Sequence, residues 1–192
     1  MTTIPELVDR FVKGDQRAFA ELIARYREKI YSIAFRMMGN HLDADEVVQE
    51  TFVRVFRKRK ELTSVSYFST FIVRIATNFA IDLLRKRKGH SSISNDTSTL
   101  PGSTQLDLAR QVATPQQMYE SKRLMEEITK ALDQLPPKQR ITAILHDIEG
   151  YTKEEIAAVF DCPQATVRSN LHIARTKLKK ILRQRLRVKE RK

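Results

Sequence analysis

The stretch YTKEEIAAVFDCPQATVRSNLHIAR, Tyr151 to Arg175, decides how the fold is read. Thr152 followed three residues later by Glu155 has the spacing of a capping box, in which each side chain satisfies the other's backbone amide. A short helix starting there places Ile156, Ala157 and Phe160 on one side. Asp161 tolerates a left-handed backbone better than most residues other than glycine. Cys162-Pro163 reads as N-cap and N1 of the next helix, since N1 is where a proline's missing amide costs nothing. Ala157 and Ala158 let the two helices approach closely. Two helices joined by so tight a turn make a helix-turn-helix.

Turning the second helix by 100° per residue puts Val167, Leu171, Ala174 and Leu178 on a face directed to the core. The opposite face carries Ala165, Arg168, Ser169, His172 and Thr176, with Ile173 beside them. Arginine can pair with guanine, serine with several base edges, and an apolar side chain can touch a thymine methyl. A solvated polar helix face is the simpler explanation of Arg168 or His172 taken singly. The capping box, the tight turn and the basic run TKLKKILRQRLRVKERK that follows Arg175 favour a DNA-reading surface, with the run suited to phosphates. Cys162 is the chain's one cysteine. It lacks the His–Asn or His–Asp partners of a nucleophile and the spaced ligands of a metal site. We read it as a turn residue and expect no metal or cofactor.

Outward from this stretch, helical periodicity dominates the 192 residues, and 5 glycines and 6 prolines are few for a turn-rich β protein. Phe19, Leu22, Ile23, Tyr26, Ile30 and Ile33 follow helical spacing up to a stop at Gly39-Asn40. A second helix is expected from near Asp43 to about Lys60, burying Val47, Val48, Phe52 and Val55. A third is expected from Tyr67 or Phe68 to Arg87, with Phe71, Ile75, Phe79 and Leu83 as its core line and Tyr67 and Phe68 as surface aromatics. Residues 89–116, rich in Ser, Thr, Asn and Gly, have linker composition. Helical pattern returns near Gln117, stops at Pro136-Pro137, and resumes over Lys138–Ile148, Lys153–Phe160 and from Pro163 onward. The fold class expected is all-α: two small helical domains joined by a flexible linker, the second a helix-turn-helix. The domains are set at 1–88 and 117–192.

A formal charge of +12 favours a polyanionic partner, nucleic acid first. No apolar run approaches the roughly 20 residues of a membrane span. The N-terminus lacks a secretory signal and one cysteine cannot form an internal disulfide, so the expected location is the cytoplasm. Neither paired carboxylates in a metal-like setting nor a glycine-rich phosphate loop points to an enzyme. Acids precede bases along HLDADEVVQETFVRVFRKRK, which complements the helix dipole and also leaves a polar face that could dock a protein. Aromatics beside cations in SYFSTFIVRIATNFAIDLLRKRK suit single-stranded DNA, where bases stack and phosphates pair.

These segments resemble the extracytoplasmic-function sigma factors of the sigma-70 family. The likeness runs through VKGDQRAFAELIARY (Val12–Tyr26), DADEVVQETFVRVF (Asp43–Phe56), FSTFIVRIATNFAIDLLRKRK (Phe68–Lys88), LPPKQR (Leu135–Arg140) and EGYTKEEIAAVFDCPQATVRS (Glu149–Ser169). The resemblance implies docking to core RNA polymerase through Asp43, Asp45, Glu46, Gln49, Glu50 and Phe52. It implies minus-10 recognition and melting by Leu62, Tyr67, Phe68, Phe71, Arg74, Asn78, Arg85, Lys86 and Arg87, with a flipped base captured in the loop Leu62 to Tyr67. It implies minus-35 reading by Thr152, Gln164, Ala165, Thr166, Arg168, Ser169, His172, Ile173 and Arg175. An anti-sigma protein is a further implied partner, and no chemistry is implied beyond that of polymerase. The chain departs from the family in having Phe71 where tryptophan is usual, Ala165 for glycine, and Asn170 and Ile173 at positions often held by arginine. The alternative is a helix-turn-helix regulator that binds promoter DNA without replacing a sigma factor. It leaves the first domain's docking helix unexplained.

Overall fold

The computed structural model describes residues 2–62, 67–90 and 127–189. The described elements are α1 (Ile4–Val12), α2 (Gln16–Met38), α3 (His41–Arg57), a 3₁₀ turn (Arg59–Glu61), α4 (Phe68–His90), α5 (127–132), α6 (Pro137–Ala143) continued by a π turn (Ile144–Ile148), α7 (Lys153–Phe160) and α8 (Gln164–Lys189). The all-α reading holds, and no strand occurs among the described residues. Residues 63–66 of the expected base-capturing loop, the linker beyond His90 and the helical pattern over 117–126 lie outside the described residues.

Local sequence accounts for the boundaries. α1 had no counterpart in the periodicity, yet Thr3 and Glu6 form a capping box like that of Thr152 and Glu155. Asp15 caps α2 through the amides of Arg17 and Ala18, and hydrogen bonding from Arg10 holds its carboxyl below the usual carboxylate range. Gly39 ends α2 at φ +77°, the left-handed cap that lets its amide reach the Phe35 carbonyl at 2.8 Å. Asn40 then caps α3 through the Asp43 amide, so α3 starts two residues before Asp43 and stops at Arg57. α4 reaches His90, beyond the expected stop, and α8 begins at Gln164, one residue after Pro163.

Val47, Val48, Phe52 and Val55 are buried as expected, and so are Val167, Leu171 and Ala174, with Leu178 packed at the rim. α4 departs from its expected core line. Phe68, Ile72, Val73, Ile75, Ala76, Ala80 and Ile81 are buried, while Phe71, Phe79 and Leu83 are only partly covered. The cause is that α4 is covered twice, by α2 and α3 on one side and by α6 and α7 on another. A single amphipathic stripe describes only a helix with one covered face.

The two halves meet along a seam that joins their cores into one cluster. Arg140 is buried in it. Its Nε and Nη2 donate to the Arg36 carbonyl at 3.2 and 2.8 Å, and its Nη1 pairs with Asp133 at 2.5 Å. Burial pushes its guanidinium pKa down, and Asp133 opposes that shift. In return, Arg74 of α4 donates to the carbonyls of Val159, at 3.1 Å, and Ala158. Both acceptor sets lie in the last turn of a helix, where carbonyls lack an intrahelical amide and the dipole favours a cation. Each half thus caps a helix of the other. Between them Arg36 donates to Glu149 at 2.6 Å and to Ser32, with both charged side chains nearly buried, and Lys29 lies over the Tyr151 ring. Glu149→Ala strands the Arg36 charge in this seam. We expect a loss of about 3–5 kcal/mol in urea unfolding, with early hydrogen exchange in α4 and α7.

Candidate nucleic-acid interface

The helix-turn-helix forms as its sequence directs. Thr152 accepts from the Glu155 amide at 3.1 Å and Glu155 from the Thr152 amide at 2.8 Å, so Thr152 is spent on the cap although exposed. Asp161 takes φ 50°, ψ 55°, the left-handed conformation assigned to it. Among the described residues it is the one non-glycine with positive φ. Cys162 is half-buried in the turn.

Because Val167, Leu171 and Ala174 anchor α8, its opposite side is set outward. Ala165, Thr166, Arg168, Ser169, His172, Ile173 and Arg175 are all exposed, and Gln164 is half-buried with its amide oxygen 3.4 Å from Arg168. Lys153, Arg168, Leu171, His172, Arg175, Thr176 and Lys179 line an open cleft of about 280 Å³. Thr176, Lys179, Lys180, Arg183 and Gln184 line a second farther along α8. Lys179 belongs to the basic run assigned to phosphates, whereas Lys153 was not expected here. Lys153 lies at the start of a different helix, and the turn alone brings it to α8. Arg175 is held by Asp147, whose hydrogen bond raises the guanidinium pKa.

On α4 the expected residues part company. Tyr67 is 64% exposed at the helix start, and Asn78, Arg85 and Lys86 are exposed. Phe68 is a correction: it is fully buried, edge-on to Tyr26 with ring centroids 5.2 Å apart. The helix phase that exposes its neighbour turns Phe68 inward. Leu62 and Phe71 pack against the core edge, and Arg74 is held by the seam.

The docking helix α3 needs two corrections. Asp43 is buried, accepting from Asn40 Nδ2 at 2.7 Å and from the Arg87 guanidinium. It ties the start of α3 to the end of α4. Phe52 is buried beside Phe19. Asp45, Glu46 and Gln49 are exposed, and Glu50 is half-exposed and paired with Arg54 at 2.7 Å. Arg54 also lies 4.6 Å above the Phe79 ring. Leu42, Val53 and Phe56 are exposed on the same helix. With Asp45, Glu46 and Gln49 they repeat at three- and four-residue steps, a signal present in the sequence beside the acids. Tyr31 hydrogen-bonds His41 at the head of this face, and burial raises its hydroxyl pKa, with Asp45 adding to the shift.

Among the described residues no three His, Cys, Asp or Glu side chains gather as metal ligands, and no helix is long and apolar enough to cross a membrane. Comparison with known proteins gives these faces a frame. The model of sigma-70 region 2 matches residues 22–90, and that of sigma-70 region 4 matches residues 125–178. SigW of Bacillus subtilis, an ECF RNA polymerase sigma factor, is 32% identical over 181 residues that span 94% of this chain and 97% of that protein. The chain belongs to the extracytoplasmic-function sigma factors of the sigma-70 family. The ECF RNA polymerase sigma-E factor of Escherichia coli K12 is 33% identical over 171 residues, 88% of each chain. SigE of Mycolicibacterium smegmatis is 34% identical over 174 residues, and the match spans 88% of this sigma factor and 64% of that relative. Among solved structures, CnrH in complex with the cytosolic domain of CnrY has TM-score 0.67 at 23% identity, covering 93% of this chain and 96% of that one. The sigma factor RpoE of Bartonella quintana has TM-score 0.62 at 22% identity, covering 86% and 96%. These two likenesses are likenesses of fold.

The corrected geometry separates structural acids from surface acids. Asp43→Ala removes a buried acceptor with two donors, and we expect it to cost about 1–3 kcal/mol in denaturant unfolding. Glu46→Lys, on the exposed face, is expected to change stability by no more than about 0.5 kcal/mol in the same assay.

Proposed function

We propose that this sigma factor binds core RNA polymerase, brings it to promoters by reading minus-35 and minus-10 elements, and supports strand opening. One observation carries the reading. A single chain pairs an acidic-apolar outer face on α3, within the region 2 match, with a cationic outer face on α8, within the region 4 match. The first suits a protein surface and the second a polyanion.

The roles divide as follows. Asp45, Glu46, Gln49 and Glu50, with Leu42 and Val53 as apolar contacts, dock polymerase. Asp43 and Phe52 act from behind by holding α3 in place. Arg168, Ser169 and His172 read minus-35 base edges, with Ala165 and Ile173 as apolar neighbours and Gln164, Thr166, Lys153 and Lys179 toward the backbone. Thr152 keeps the first helix of the motif in position. Tyr67, Asn78, Arg85, Lys86 and Arg87 serve the minus-10 side, where unstacking a base costs a few kcal/mol and an aromatic surface offsets part of it. Phe71 can stack but offers no indole donor. Leu62 and Phe68 support the expected loop from the core side. Arg74 cannot cap α7 and contact DNA at once, and here it caps α7.

The protein is a factor rather than an enzyme: polymerase supplies the chemistry, in the cytoplasm, and no cofactor is needed. We assign residues 1–88 to docking and minus-10 work, 89–116 to the linker and 117–192 to minus-35 work. An anti-sigma protein is the fitting regulator, as the Bartonella quintana neighbour was solved with the anti-sigma factor NepR. No membrane insertion of its own is required.

Transcripts made by core polymerase with this protein on genomic DNA test the reading. Initiation at a defined promoter set is expected, and absence of any added initiation overturns it. Duplex binding by the free chain without polymerase binding would select the regulator reading instead. Two variants refine it. Glu46→Lys is expected to weaken polymerase binding in a pull-down titration. Arg168→Ala is expected to relax minus-35 discrimination by about 1–3 kcal/mol at one base pair, scored with a promoter library.

A further inference from the structure

We infer that Asp147 is a positioning residue for DNA binding: it holds Arg175 so that the free end of its guanidinium is presented to a phosphate of duplex DNA. The inference rests on the DNA-reading role proposed for α8.

Arg175 Nε donates to Asp147 Oδ2 at 3.2 Å, and Nη2 donates to Oδ1. Both carboxylate oxygens are thereby engaged along one side of the guanidinium. Of its five N–H groups, two on Nη1 and one on Nη2 remain. One from each terminal nitrogen forms the end-on fork, whose geometry matches two oxygens of a phosphate. Asp147 therefore removes the freedom of the side chain without using the edge that would bind.

The placement supports this use. Arg168, Arg175 and Lys179 fall within about 40° of one another around α8 at 100° per residue, and all three line the same cleft. Arg175 lies seven residues beyond Arg168, about 10 Å along the helix. Base edges are met by the N-terminal residues of a recognition helix, so a side chain that far along meets the DNA backbone. Asp147 comes from the π turn Ile144–Ile148 behind α8, where the Glu149 amide bonds the Ile144 carbonyl five residues back. π turns of this kind recur at functional sites. The Arg175 side chain is 55% exposed and that of Asp147 33%, so the pair contributes little to folding. Its removal should leave the domain intact.

Charge and positioning make opposite demands here. If Asp147 acts only as a negative charge beside DNA, Asp147→Asn tightens binding. If it positions Arg175, the same change weakens binding although the protein becomes more positive. The test uses the full chain and its Asp147→Asn, Arg175→Ala and double variants. Binding is followed by fluorescence anisotropy on a random-sequence duplex at low salt, and with core polymerase on a promoter recovered from the transcripts. We expect Asp147→Asn to weaken both by about 3- to 10-fold, the cost of ordering one long side chain. The loss should be equal across minus-35 sequences, absent in the Arg175→Ala background, and accompanied by an unchanged melting temperature. Tighter or unchanged binding, or a loss that persists without Arg175, overturns the inference. If no promoter is recovered but the random duplex behaves as described, the sigma reading fails and the role of Asp147 stands.

Discussion

The arrangement of the whole molecule depends on two arginines that cap helices they do not belong to. An α-helix leaves its last carbonyls without amides and gathers partial negative charge there. Arg140 meets that requirement for α2, and Arg74 meets it for α7. Removing a guanidinium from water is expensive unless its donors are satisfied. Arg140 has the Arg36 carbonyl and Asp133, and Arg36 has Glu149 and Ser32 at Nη1, though its buried Nε makes no hydrogen bond. Burial at the seam is thus sustained by groups from both halves, and neither half supplies all of the partners.

The same physics redistributes residues that look functional from their type. Asp43 heads the acidic run on the docking helix, yet it lies among Asn40 and Arg87 and fixes two helix ends. Arg74 has the charge to bind phosphate but is committed to a helix terminus. Phe68 sits beside an exposed tyrosine and fills the core next to Tyr26. What remains outside is a smaller and more coherent set: acids between apolar residues on α3, cations around the cleft on α8. A net charge of +12 conceals this division, because Asp45, Glu46 and Glu50 share the outer face of α3 while the cations around the cleft lie on α7 and α8. Separating the two signs lets one chain hold a protein partner and a polyanion without either repelling the other.

The helix-turn-helix was nearly complete in the sequence. Its capping box, left-handed Asp161 and buried Val167–Leu171–Ala174 stripe are local features, governed by neighbours within four residues. So were the stop at Gly39, the core stripe of α3 and the two-part all-α organisation. α1 carries the same local signal, the capping box of Thr3 and Glu6. The buried line of α4 was not legible, since periodicity assumes one covered face and this helix has two. The cleft beside Arg168 was half legible: α8 announced its own cations, but Lys153 and Asp147 come from other helices.

The sequence alone determined the all-α class, most of the helical segments to within a few residues of their ends, and that one pair reads as a DNA-binding motif, because capping, left-handed turns and amphipathic spacing act between near neighbours in the chain. Tertiary structure decided which charges are available. Whether an aspartate docks a partner or caps a helix, and whether an arginine meets DNA or a carbonyl of another helix, depends on contacts between residues 44 to 104 positions apart. No local pattern encodes those distances; only the packing of α3 against α4, and of α2 and α4 against α6 and α7, brings them to hydrogen-bonding range.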